Sequence, residues 1–196
     1  MIGNVVPVKS IPGRSLGSHR CRIEGCTDYE TLAHVLGKCQ RGELMRNNRH
    51  HRVRSIIAEE FRKQGWTVSE EQICTSTTQG IQRFDILVYH PLTKKGYMLD
   101  PTIRMEKDGD QAKEVDEEKR NKYKDSIPDL LIKFNLVSID IIGLYVGARG
   151  TITTFFEEFR KKFNLPKSMV EDIVISVLKS STAIIHNHLY SNLPTT

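Results

Sequence analysis

The sequence predicts an α/β fold in which a small mixed sheet is flanked by helices. Two short segments rich in β-branched and aromatic residues, "RFDILVYH" and "YMLD", are separated by the turn "PLTKKG", which is typical of a hairpin. A nearly unbroken apolar run, "LVSIDIIGLYVGA", is typical of a strand that is covered on both faces. Helical apolar patterns precede and follow these strands, which favours helices packed against the sheet.

The elements follow one another along the chain. A helix is predicted from Arg46 to Gln64, because apolar residues recur at helical spacing and Gly65 follows them. The segment "WTVSEEQICTSTTQGIQ" predicts one short strand and a polar turn, and the hairpin comes next. A polar helix from Ala112 to Lys124 leads to the apolar strand. Two amphipathic helices, Thr151 to Phe163 and Lys167 to His188, complete the pattern.

Composition places the chain among ordinary globular proteins. It has 196 residues, of which 38% are hydrophobic and 27% charged, so it can bury a core. No apolar run approaches the roughly 18 residues of a membrane span. The N-terminal residues lack the apolar region of a signal peptide. We therefore expect an intracellular protein without a membrane partner.

Charge is distributed unevenly along the chain. Residues 1–66 hold 12 Lys and Arg against 6 Asp and Glu, a net charge of +6, whereas the remainder carries −1 of the total of +5. A basic N-terminal third indicates a polyanionic partner, of which nucleic acid is the commonest. The alternative is that this charge serves solubility alone.

Three cysteines and a histidine lie close together in "CRIEGCTDYETLAHVLGKC". Cys21, Cys26, His34 and Cys39 are separated by four, seven and four residues, a spacing that lets two ligand pairs turn onto one tetrahedral Zn²⁺. Four protein ligands leave no open position, so we expect a structural rather than a catalytic zinc. Cys74 stands alone, and no disulfide framework is indicated.

An arginine-rich segment, "RGELMRNNRHHRVR", follows the cysteine cluster. A zinc module followed by a basic helix start predicts a phosphate-contacting surface, formed by Arg46, Arg49, His50 and Arg52. A solvated helix face is the alternative. His50 and His51 could also act as a general base or a metal-binding pair, but their spacing argues for neither role.

Two aspartates bracket the predicted hairpin. Asp85 is placed on its first strand and Asp100 at the end of its second, with 14 residues between them, so the hairpin would bring the two carboxylates to one edge. Paired carboxylates suit Mg²⁺. Lys119 shares a helix face with Val115 and Tyr123 and could stabilise the charge on a phosphate. Capping or turn roles for the aspartates are the alternative.

A third acid is often required at such a site. Glu106 and Glu60 are the candidates that the sequence offers.

Several motifs occur in an order that resembles one known family. They are "CRIEGCTDYETLAHVLGKC", "RNNRHHRV", "RFDILVYH", "LDPTIRME", "EVDEEKRNKY" and "GLYVGARGTITTFFEEF". Together they resemble the C-terminal region of the polyprotein of site-specific non-LTR retrotransposons that insert into large-subunit ribosomal RNA genes. The resemblance extends from about residue 11 to about residue 190, nearly the whole chain.

This resemblance implies a CCHC zinc knuckle followed by a restriction-like endonuclease of the PD-(D/E)XK type. In that family the endonuclease nicks target DNA, and the released 3′ hydroxyl primes reverse transcription of the element's RNA. The acidic motif matches Asp85 and Asp100, and the lysine and tyrosine of the K-x-x-x-Y motif match Lys119 and Tyr123. Zn²⁺ would be structural and Mg²⁺ or Mn²⁺ catalytic. The implied partners are ribosomal DNA, element RNA and a reverse transcriptase domain, acting in the nucleus.

The resemblance also implies a domain arrangement. Residues 1–20 would form a leading linker, residues 21–45 the zinc knuckle and residues 46–190 the endonuclease domain. The family usually has proline before the first aspartate, where this chain has Phe84, which puts activity in doubt. The reverse transcriptase has no counterpart in these residues, so we expect a fragment of a longer polyprotein.

Two other functions fit the same residues. The first is a catalytically inactive module that binds nucleic acid for the polyprotein. The second is a protein-interaction module whose C-terminal helix, Lys167 to His188, docks on the polymerase.

Overall fold

A four-stranded mixed sheet lies at the centre of the computed structural model, which describes residues 6–11, 13 and 17–191. The strands of these residues are β1 (Thr67–Glu70), β2 (Ile73–Ser76), β3 (Gly80–Arg83), β4 (Ile86–Tyr89), β5 (Lys95–Arg104) and β6 (Ser138–Gly147). The central sheet has the order β1-β4-β5-β6, and β2 and β3 form a separate hairpin. β5 and β6 are parallel, whereas the other pairs are antiparallel.

Helices cover both faces of the sheet. They are α1 (Leu32–Gly37), α2 (Glu43–Lys63), α3 (Gln111–Tyr123), α4 (Ile127–Lys133), α5 (Thr154–Lys162) and α6 (Lys167–Tyr190). α2, α5 and α6 pack on one face, and α3, α4 and the β2-β3 hairpin pack on the other. The prediction of a small mixed sheet flanked by helices is confirmed. Within the described residues, no helix combines the length and apolarity needed to cross a membrane.

Alternate residues of the central strands enter two different cores. Ile86, Val88 and Leu99 pack with α2, α5 and α6, whereas Leu87 and Met98 pack with Tyr123 and the β2-β3 hairpin. This period of two follows from the pleat of a β-strand. Because both faces are buried, β4 is apolar throughout and β6 is largely apolar, as the sequence indicated for β6.

Two strands and α4 were not predicted. Residues 66–82, where one short strand and a polar turn were expected, contain β1, β2 and most of β3. Only Cys74 and Ser76 of β2 are buried, so the apolar signal is weak. α4 has seven residues with proline in its first turn, too short for a helical period to be recognised. α2 also begins at Glu43 rather than at Arg46, since a 3₁₀ turn at Gln40–Gly42 leads directly into it.

Residues 21–39, the cysteine-containing segment, pack against the C-terminal helix α6. Val35 and Leu36 of α1 share a core with Ala148 and the last turns of α6. The predicted leading linker contributes Val8 to this core, although residues 1–5, 12 and 14–16 lie outside the described residues. The proposed boundaries at residues 20 and 45 stay predictions.

α6 is an integral part of the core. Met169, Ile173 and Val177 are almost completely buried against the sheet and α2. Deletion of the chain after Pro166 would therefore remove core side chains, and it would not isolate a docking function of this helix.

α3 lies very close to β6 at Gly143. A Cβ atom at this position would be 2.7 Å from the Val115 carbonyl oxygen, 2.8 Å from the Asp116 Cα and 2.9 Å from the Lys119 Cγ. The Gly143 N–H also donates to the Asp116 carboxylate at 2.9 Å. The glycine thus permits α3 to approach the sheet and sets the position of Lys119.

Replacement of Gly143 by alanine should push α3 away from β6. We expect a loss of roughly 1–3 kcal/mol in the free energy of unfolding, measured by denaturant titration. Gly109→Ala is the matched control, because a Cβ there meets no atom within 4 Å. Equal stability of the two variants would contradict the close packing.

Candidate functional site

Asp85 and Asp100 lie opposite each other where the β4-β5 pairing ends. The last pair is Ile86 and Leu99, so the same antiparallel register sets Asp85 opposite Asp100. Asp85 directly precedes β4, and Asp100 lies in the middle of β5. Their predicted places, on the first strand and at the end of the second, were therefore wrong.

The reason is that β5 continues beyond β4. The continuation of β5, residues 100–104, pairs with β6 alone, and Pro101 lies opposite Leu144. Proline is tolerated here because β4 no longer pairs on the other side. The chain thus keeps a regular strand through the acidic motif.

Asp100 is held by three donors. Its Oδ1 is 3.2 Å from the Lys119 Nζ and accepts a hydrogen bond from the Thr102 hydroxyl at 3.1 Å, and its Oδ2 accepts one from the Tyr123 hydroxyl at 3.1 Å. The Asp100 side chain is only 5% exposed. Burial, followed by the charges of Asp100 and Asp85, raises the pKa of Tyr123, so this phenol stays a hydrogen-bond donor.

The helical face of Val115, Lys119 and Tyr123 packs on the sheet. Val115 and Tyr123 are buried, and the Lys119 side chain is 11% exposed with its amine at Asp100. The lysine therefore shares an apolar face because its stem lies against β6, at Gly143, while its charge meets a carboxylate.

His50 reaches the site from α2. Its Nε2 is 3.1 Å from the Asp85 Oδ2. Burial disfavours the charged imidazole, but the hydrogen bond to Asp85 and the charges of Asp85 and Asp100 outweigh it, so the pKa of His50 is raised. The sequence assigned His50 to nucleic-acid binding and missed this contact. One signal was present, because His50 lies three and seven residues before the buried Val53 and Ile57.

Neither candidate for a third acid is found at this site. Glu106 accepts hydrogen bonds from the Arg149 Nε and the Thr151 hydroxyl, both at 2.9 Å. Glu60 pairs with Lys63 at 2.6 Å near the far end of α2. The expectation that one of them completes the acidic site was wrong.

Asp85, Asp100 and Lys119 line one cleft of about 670 Å³. Part of its wall, including Lys38, comes from the cysteine-containing segment. Its basic lining residues outnumber the two aspartates and are Lys38, Arg46, Arg49, Arg83, Arg104, Lys107, Lys119 and Lys122. Such an excess of positive charge in a concave surface attracts anions.

The residues predicted to contact nucleic acid are not all in this cleft. Arg46 lines it and donates to the Cys39 carbonyl oxygen at 2.6 Å. Arg49 also borders it but is buried, and it donates to the Ser181 hydroxyl at 2.8 Å and to the Leu36 carbonyl oxygen at 3.0 Å. Burial and the charge of Arg46 lower the pKa of Arg49 to about 10. Arg52 is exposed beside Ser176, on a different part of the surface.

Cys21, Cys26, His34 and Cys39 converge on one point. Their four donor atoms all lie within 4.8 Å of one another. The Cys21 and Cys39 sulfur atoms are 3.9 Å apart, and the Cys26 sulfur is 3.4 Å from the His34 Nε2. Tetrahedral ligands at Zn–S and Zn–N distances of about 2.0–2.3 Å lie roughly 3.4–3.8 Å apart. The cluster can therefore hold a metal such as zinc.

Further polar groups surround this cluster. The His34 Nδ1 is 3.2 Å from Asp28, which would fix the ring with its Nε2 toward the metal. His188 of α6 lies 3.9 Å from the Cys21 sulfur and 3.2 Å from the buried Glu30. The sequence analysis missed Glu30 and His188, because their contact joins residues 158 positions apart and gives no local signal.

Zinc content should depend on the cluster and not on the remaining cysteine. We expect one Zn²⁺ per chain in the wild type and in Cys74→Ala, but none retained by Cys39→Ala, measured by elemental analysis after dialysis. Zinc removal should also destabilise α1 and α6, because structural zinc contributes folding free energy. Retention of a full equivalent by Cys39→Ala would exclude this cluster as the zinc site.

Phe84 is a core residue. Its ring is completely buried and lies 6.3 Å from the Phe134 ring. Its backbone N–H donates to the Gln72 carbonyl oxygen at 3.1 Å. Proline has neither this ring nor this donor, so the departure from the family pattern is built into the packing here.

Phe84→Pro should therefore lower the free energy of unfolding by at least about 3 kcal/mol. Phe84→Leu, which keeps an apolar side chain and the N–H, should cost less. Thermal and chemical unfolding would measure both. A proline variant as stable as the wild type would show that the buried ring contributes little.

Comparisons with known proteins give one distant relative. No family model matches the chain. It is 34% identical over 87 residues to "Retrovirus-related Pol polyprotein from type-1 retrotransposable element R2" of Popillia japonica. The match covers 44% of this chain and 12% of that polyprotein. The chain therefore corresponds to a small part of the relative.

A solved structure gives a weaker likeness. "Crystal Structure of Protein of Unknown Function AF1548" has a TM-score of 0.34 and 9% sequence identity. The match covers 70% of this chain and 98% of that one. What the comparisons show is weak homology between this chain and part of a retrotransposon Pol polyprotein.

Proposed function

We propose that this chain is a metal-dependent DNA endonuclease domain of the PD-(D/E)XK type from a retrotransposon polyprotein. It would nick target DNA and so supply the primer for reverse transcription. The relative is a Pol polyprotein of a retrotransposable element, and the mixed α/β architecture accommodates such a site. The observation that carries the proposal is the arrangement of Asp85, Asp100 and Lys119 in one basic cleft.

The charged side chains of the cleft and Tyr123 have separate parts in the proposed reaction. The basic lining residues hold the DNA phosphates by charge. Lys119, which is largely buried and contacts the Asp100 carboxylate, would stabilise the negative charge that develops on the scissile phosphate. Tyr123 fixes the Asp100 carboxylate by its hydrogen bond and is a positioning residue. Asp85 and Asp100 supply the oxygen ligands.

Carboxylate oxygens are the ligands that Mg²⁺ and Mn²⁺ prefer, so the donor chemistry fits such a cation. When bound, the cation would supply Lewis-acid stabilisation and an activated water. Both carboxylates line the same cleft, and the strand register sets them opposite each other.

The cysteine-containing segment is expected to take part in nucleic-acid binding because it forms part of the wall of the same cleft. Ala33, Gly37 and Lys38 of this segment line the cleft with the carboxylates. Bound nucleic acid would contact both parts together. The proposed partners are ribosomal DNA as target, the element's RNA and a reverse transcriptase domain, with action in the nucleus.

One observation favours the inactive binding module as a second candidate. Both oxygens of Asp100 are occupied by Lys119, Thr102 and Tyr123. If these contacts persist in the presence of a cation, Asp100 would only hold Lys119 in place. The chain would then bind nucleic acid without cutting it.

A nicking assay tests the two candidates. We expect zinc-loaded protein with Mg²⁺ or Mn²⁺ to nick supercoiled plasmid carrying a ribosomal RNA gene, and Asp100→Asn and Lys119→Gln to lose roughly 100-fold or more in rate. Lys113→Gln is the control, because this lysine is exposed on the same helix at 77% of its side-chain surface. Tight, salt-sensitive DNA binding without nicking would favour the binding module.

A further inference from the structure

His50 is the polar side chain at the acidic site that the proposed mechanism leaves without a part. It contacts Asp85 where a third acid was expected and neither Glu60 nor Glu106 is present. α2 brings it from the face of the sheet opposite to α3. The site is therefore approached by a lysine from one side and by an imidazole from the other.

The contact between His50 and Asp85 has the separation of two neighbouring metal ligands. The Nε2 and Oδ2 atoms are 3.1 Å apart. Two ligands at about 2.1 Å from one octahedral ion, at right angles, are roughly 3 Å apart. An ion could thus enter between these atoms without moving the two side chains far.

The same two groups are the accessible part of the site. The side chains of His50 and Asp85 are 30% and 22% exposed in the cleft, whereas that of Asp100 is 5% exposed and bound by three donors. The imidazole also lies at the backbone of Pro101, next to Asp100. A cation arriving from solvent would meet Asp85 and His50 first.

We propose that His50 is a ligand of the catalytic divalent cation, together with Asp85, in place of a third carboxylate. This inference rests on the proposed endonuclease function. Its consequence is a preference for the metal. Imidazole binds Mn²⁺ more readily than it binds Mg²⁺, which demands oxygen ligands and keeps its waters. The site should therefore bind Mn²⁺ more tightly than two carboxylates alone would.

Direct metal binding tests this role without reference to activity. The 196-residue chain, loaded with zinc, would be titrated with Mn²⁺, and free Mn²⁺ would be measured by electron paramagnetic resonance. We expect His50→Ala to weaken Mn²⁺ binding at least roughly tenfold. His50→Asp should restore binding and shift the preference toward Mg²⁺. His51→Ala is the matched control, because His51 faces Glu71 at 3.9 Å and not the acidic site.

The variants separate this inference from the function on which it rests. Unchanged Mn²⁺ affinity in His50→Ala, with affinity lost in Asp85→Asn and nicking retained by the wild type, would overturn the role of His50 and leave the endonuclease standing. Absence of both Mn²⁺ binding and nicking in the wild type would overturn both. Melting temperatures would show that each variant is folded. DNA affinity in EDTA should be the same for His50→Ala and the wild type, and a loss there would assign His50 to DNA contact instead.

Discussion

The close packing of α3 on β6 is the constraint on which the candidate site depends. Gly143 lets the helix backbone approach the strand, and Asp116 fixes it through the Gly143 N–H. At this separation the Lys119 amine reaches past β6 to the Asp100 carboxylate on β5. A missing Cβ atom in the sheet thus determines the position of a charge in the cleft, since interiors are close-packed and transmit small displacements.

The acidic site combines two opposing electrostatic requirements. Asp85 and Asp100 lie opposite each other and repel, so cations are needed beside them. Lys119 supplies one positive charge to Asp100, and His50 faces Asp85. A divalent cation would compete with these groups for the same oxygens. Under the proposed function, the balance between the internal cations and a bound divalent cation would decide whether the cleft cuts nucleic acid or only binds it.

The cysteine cluster and the cleft are joined through α6 and α2. His188 of α6 lies beside Cys21 and Glu30. Ser181, on the same helix, accepts a hydrogen bond from Arg49 of α2. Arg49 is next to His50 in sequence and also binds the Leu36 carbonyl oxygen. The cysteine-containing segment is thus packed into the rest of the fold through these contacts. Arg49, which the sequence predicted to contact nucleic acid, is instead buried and holds α1 and α6 together through these hydrogen bonds.

The sequence by itself determined the elements with strong local patterns: the hairpin, the apolar strand β6, the longer helices and the spaced cysteine ligands. It also brought Asp85, Asp100, Lys119 and Tyr123 together by motif. Only the tertiary structure decided which groups complete the two sites, because the contacts of His50, Glu30 and His188 join residues distant in sequence. It also decided that Glu106 and Glu60 pair elsewhere and that Phe84 belongs to the core. Periodicity shows which face of an element is buried, whereas the partner across that face depends on how the elements pack.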